Sequence, residues 1–61
     1  MTWVVFRNTA GVASVLPARD EEHALAIVQA LGSLAAIGID PASAMIVYAP
    51  DRAGALAWLD G

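Results

Sequence analysis

The sequence predicts an α+β fold of order ββαβα: a three-stranded, mostly antiparallel sheet, one long helix packed on a face, and a short C-terminal helix. Three observations lead there. A helix-periodic stretch runs from Asp20 to Gly38, DEEHALAIVQALGSLAAIG. Two β-rich runs precede it, separated by a turn with Asn8 and Gly11, and a third follows it. An Ala- and Leu-rich tail closes the chain. Residues 1–61 are read as one small domain.

The first run, Thr2 to Arg7, is β-branched and aromatic and reads as a strand. Asn8-Thr9-Ala10-Gly11 is a turn, with Asn8 bonding the backbone ahead and Gly11 supplying a positive φ. Val12 to Leu16 is the returning strand of a hairpin, and Pro17 is expected to end it.

In the long helix, Ala24, Ile27, Val28, Leu31, Leu34 and Ala35 recur at spacings of three and four, which makes one core-facing stripe. Asp20 suits the N-cap, and Glu21 and Glu22 then sit at the positive end of the helix dipole. Gly38 suits a left-handed stop with Ile39 folding back on the helix, and Asp40-Pro41 forbids continuation. Gly32 costs this helix about 1 kcal/mol relative to alanine. It lies beside Leu25 and Ala36, and the small pair Gly32 and Ala36 would admit another backbone closely. The ordinary reading is a strand or turn of the same chain; the sharper one is a contact between helices of two copies.

Ala44 to Ala49 is the third strand, stopped by Pro50-Asp51. The first strand is expected in the middle, antiparallel to both neighbours. In the tail, Asp51 can cap a helix on which Leu56 and Leu59 share a face with Arg52. A competing order, ββαββ, rests on a weak echo of the hairpin, in which Val4, Ala10, Gly11 and Leu16 recur as Val47, Ala53, Gly54 and Leu59. The helix propensity of alanine and leucine favours ββαβα.

Hydrophobic residues make up 59 % of the chain, above the usual ~45–50 %. There is no cysteine, so neither disulfide nor thiolate metal site can reinforce so small a core. Apolar runs break well short of the ~18 residues a membrane span needs, and no basic region precedes an apolar block as in a signal peptide. The expected setting is soluble and cytoplasmic. The formal net charge is −3, with three arginines and no lysine. That is the wrong balance for a phosphate backbone or an anionic membrane, so no nucleic-acid partner and no membrane partner are expected.

Chemistry-bearing residues are few. His23, the single histidine, has a pKa range suited to a general base. In the first turn of a helix, the preferred reading is a solvated side chain, or one bonded to the loop before it. Asp20, Asp40 and Asp51 each precede an expected helical turn and read as caps. Glu21 and Glu22 are adjacent and diverge around the helix, a poor geometry for sharing a metal. No nucleotide-binding or calcium-binding motif is present. No catalytic residue, cofactor or metal is assigned, and the chain is expected not to be an enzyme.

The strands read as apolar on both faces: Trp3, Val5 and Arg7 against Val4 and Phe6, and Met45 and Val47 against Ile46 and Tyr48. A sheet wetted on one face would alternate with polar residues. The second face must therefore be covered, by the tail with Leu56, Trp58 and Leu59 or by a second copy. The expectation is a non-catalytic protein-interaction module, a homodimer with a possible further protein partner. Trp3, Val5, Gly32, Ala36, Tyr48 and Trp58 are its candidate contact residues. The alternative is a small-molecule binder with an aromatic and apolar pocket at a subunit interface.

Overall fold

The computed structural model describes residues 1–33 and 38–60. Its elements are β1 (Thr2–Asn8), β2 (Ala13–Ala18), α1 (Glu21–Gly32), β3 (Ile39–Tyr48) and α2 (Arg52–Asp60). The strands form one open sheet in the order β2-β1-β3, with β1 antiparallel to both neighbours. This is the expected ββαβα order, and the C-terminal segment is a helix.

The hairpin forms for the reasons its turn residues supply. Asn8 Oδ1 accepts from the Ala10 and Val12 amides at 2.9 and 3.0 Å. Gly11 has φ +84°, a conformation that a Cβ would strain. Pro17 does not end β2, contrary to expectation; it lies within the strand, opposite Trp3. The ladder explains why. Val4, Phe6 and Asn8 aim their backbone groups at β2, as the Asn8 N–H to Val12 O bond indicates. The odd positions of β1 face β3 instead. Pro17 therefore turns its missing N–H to the open side, where proline is tolerated.

β3 starts at Ile39, five residues before the expected Ala44, and takes in Asp40-Pro41. It does so through a bulge. Val5 pairs with Met45, yet Arg7 pairs with Asp40, so Pro41, Ala42 and Ser43 are extra. Ser43 repairs the interrupted ladder. Its hydroxyl accepts from the Arg7 amide at 2.7 Å and lies 2.7 Å from Asp40 O and 3.3 Å from Arg7 O, the two carbonyls to which it can donate.

The two helices cover opposite faces. Val4, Phe6 and Ala18 pack with Ala24 and Leu31 of α1, flanked by Ile27, Val28, Ile39, Ala44 and Ile46. Trp3, Val5, Val15 and Val47 pack with Ala49 and with Ala55 of α2, flanked by Leu56 and Leu59. Four consecutive residues of β1, Trp3 to Phe6, are consequently buried. The accessible surface is 3783 Å², against about 3,700 Å² for an ordinary compact monomer of this mass. The chain's own helices thus close both faces, and the second copy invoked as a possible cover is not needed there. Of the tail residues expected to do the covering, Leu56 and Leu59 do, while Trp58 points outward and is 57 % exposed.

Caps fix both helices. Asp20 Oδ1 accepts from the His23 amide at 2.8 Å, and Asp51 Oδ1 from the Gly54 amide at 2.7 Å. α1 stops at Gly32, short of the expected Gly38, with Ser33 as C-cap. Of the expected stripe, Ala24, Ile27, Val28 and Leu31 face the core; Leu34 and Ala35 lie outside the described residues. Gly38 has the expected positive φ, +97°. Ile39 packs on the α1-side core, but as the first residue of β3.

Candidate interaction surface

The side chains that could carry chemistry have local structural roles. His23 Nδ1 accepts from the Arg19 amide at 3.0 Å, tying α1 to the chain that leaves β2. Asp20 and Asp51 are caps, and Asp40 Oδ1 accepts from the Ala42 amide at 3.1 Å within the bulge. Among the described residues, no three His, Cys, Asp or Glu side chains gather as a metal would require. No described helix is long and apolar enough to cross a membrane.

A surface groove at the turn end of the sheet is lined by Arg7, Asn8, Thr9, Ile39, Asp40 and Pro41. It has no aromatic wall. Its cation is engaged: Arg7 Nη1 donates to Gly11 O at 2.8 Å and Nη2 to Leu59 O at 2.9 Å. The guanidinium thereby holds the turn and satisfies a carbonyl in the last turn of α2, where a positive charge is favoured. The sequence hint was strand parity, which puts Arg7 on the same face as Trp3 and Val5.

The six candidate contact residues divide. Trp3 (7 % exposed) and Val5 lie in the core beneath α2, and the Trp3 indole N–H donates to Ala49 O at 3.0 Å. They anchor the turn into α2 and offer no surface. Gly32 is exposed, with open space where a Cβ would stand. Ala36 falls outside the described residues. Tyr48 (61 % exposed) and Trp58 are on the surface. Sequence reasoning did not single out the other exposed large apolar side chains: Met45, 39 % exposed, and Leu25, 50 % exposed, together with Met1, Val12 and Leu16.

Tyr48 and Met45 border the same feature, the outer edge of β3. α1 lies chiefly over β3 and β1, and α2 chiefly over β1 and β2, which leaves Met45 only half covered on the α2 side. Tyr48 shares the α1 face with Val4 and Ile46 and stands beside Glu21 at the start of α1. Its phenol is held above the ordinary value of 10.0, first by desolvation and then by the Glu21 carboxylate, which repels the phenolate and favours the O–H form.

Both outer strands of the sheet are edges, and they differ. β2 is six residues long and has Pro17 at an outward-facing position. β3 is ten residues long, with Asp40, Pro41 and the bulge in its first half and a regular run from Ala44 to Tyr48 in its second. The Ala49 N–H to Met1 O bond sets its parity: Met45, Val47 and Ala49 address β1. Ala44, Ile46 and Tyr48 therefore turn their N–H and C=O groups to the open side. None of them is proline, and no charged residue lies between Ala42 and Pro50. Strand edges are normally protected by such residues.

No protein-family model matches the chain, and no curated protein or solved structure does either.

Proposed function

We propose that the protein is a non-catalytic interaction module that acts as a homo-oligomer, with the edge of β3 as its docking element. One observation carries this reading: the β3 edge is long, free of proline and charge from Ala42 to Ala49, and bordered by the exposed apolar side chains of Met45 and Tyr48. Such an edge adds a further strand through main-chain hydrogen bonds, with flanking side chains supplying selectivity. The reading also suits the composition. A chain this short without disulfides gains stability most readily by association. Trp58, on the outer side of α2, is the anchor the terminal surface offers to a different protein, since exposed tryptophans dominate interface energetics when they become buried.

Sedimentation equilibrium across the micromolar range tests the reading. A concentration-dependent shift from monomer to a closed oligomer is the expected result. A compact monomer at every concentration overturns it.

A further inference from the structure

We infer that β3 pairs with β3 of a second copy, antiparallel about a two-fold axis at Ile46, so that two three-stranded sheets become one of six strands. This rests on the interaction-module reading and names the partner of its docking edge.

Backbone parity selects the register. Ile46 turns both its backbone groups outward, so Ile46 against Ile46 of the partner subunit makes a mutually bonded pair. Ala44 then bonds with the partner's Tyr48, and Tyr48 with the partner's Ala44. The paired strands bring no like charges together, because the segment from Ala42 to Pro50 has none. That neutrality matters for a chain whose net charge is −3.

The same operation brings the two α1 helices together on one face. Strands lie about 4.8 Å apart, so the axis falls about 2.4 Å outside β3. A helix seated over the β1–β3 boundary, where α1 packs, is then about 5 Å from the axis, and the two helices are about 10 Å apart. Helices pack at ~8–10 Å.

The flank of α1 that would meet its mate is identifiable. Glu21 stands by Tyr48 of β3, whereas His23, on the other flank, is tied to the chain leaving β2. Leu25 is one turn beyond Glu21 on the β3 flank. Moving from Tyr48 to Ile46 is about 7 Å along the strand, or four to five residues of helix at ~1.5 Å each. Leu25 therefore stands level with Ile46, on the axis, facing the partner's Leu25. Its exposure in the single chain has this as its use. Gly32 lies about two turns further along, off the axis.

The test is amide exchange of the labelled protein at low and high concentration, with the Leu25→Glu variant alongside. The amides of Met45 and Val47 are bonded to β1 and serve as internal controls. The expected result is protection of Ala44, Ile46 and Tyr48 amides that rises at least tenfold with concentration. Leu25→Glu should weaken association at least tenfold, while the dilute variant keeps the wild-type circular dichroism. An oligomer in which those three amides stay unprotected overturns the register and leaves the module reading standing. A monomer at all concentrations overturns both.

Discussion

Removing the hydroxyl of Ser43 tests whether the β3 bulge is a built feature of the fold. In a regular ladder the Arg7 amide and carbonyl would meet the backbone of β3. Three extra residues displace that partner, and the Ser43 hydroxyl takes its place at 2.7 Å from the Arg7 amide. Ser43→Ala leaves this part-buried donor without its acceptor and also loses the contact to Asp40 O. An unsatisfied buried polar group costs about 1–3 kcal/mol; with partial access to water, the lower half of that range, about 1–2 kcal/mol, applies. For a domain of this size, that lowers the melting temperature by roughly 4–16 °C. Urea unfolding followed by tryptophan fluorescence measures it, with Ser43→Thr as a control that keeps the hydroxyl and should lose less. Equal stability of Ser43→Ala and wild type would show that water serves the Arg7 amide as well, and the account of how Asp40-Pro41 enters a strand would fail.

Two other predictions concern positions with opposite surroundings. Gly32→Ala should stabilise by about 0.5–1 kcal/mol, since a Cβ there meets open space. Gly54→Ala should forfeit that gain, because its Cβ would stand 3.2 Å from Asp51 Oδ1, the cap of α2, and 3.4 Å from Ala49 Cβ; thermal melts should place Gly54→Ala below Gly32→Ala. Tyrosine absorbance in dilute solution should titrate above pH 10.0, and Glu21→Gln should bring the midpoint down. The raised value means that the folded state favours the neutral phenol. The associated stability is held below pH 10 and lost as pH rises through the folded-state midpoint; a midpoint unmoved by Glu21→Gln would remove Glu21 from the surroundings of Tyr48.

Much of the architecture was legible because local signals agreed with one another. Asn8 and Gly11 made the hairpin, Asp20 and Asp51 capped their helices, and the Ala24–Leu31 stripe found the sheet. What was not legible depended on the third dimension. Pro17 reads as a breaker unless one knows that its position faces the open edge. Asp40-Pro41 reads as a connection unless one knows that Ser43 can stand in for a ladder partner. Trp58 was a candidate both for covering the sheet and for contact, and the narrow stripe of α2 is filled by Ala55, Leu56 and Leu59. Apolarity on both faces was read correctly as a need for cover on both sides; the choice between tail and second copy is a matter of where α2 docks, which no local pattern encodes. Trp3 and Val5 therefore moved from candidate surface to core. Tyr48 remained on the surface, at the edge of β3, where Met45 and Leu25 join it from positions that strand and helix parity could have shown.

At the centre stands one claim: α1 and α2 of a single chain close both faces of the sheet, and among the described residues the edge of β3 stays open. Relaxation by a soluble paramagnetic agent, read residue by residue at high dilution, addresses it directly. Slow relaxation is expected for the Trp3 indole N–H and the Val4 and Val5 amides, and fast relaxation for the Ile46 and Tyr48 amides. Fast relaxation at Trp3 and Val5 in the dilute chain would contradict it, because that face would then need a second copy to cover it.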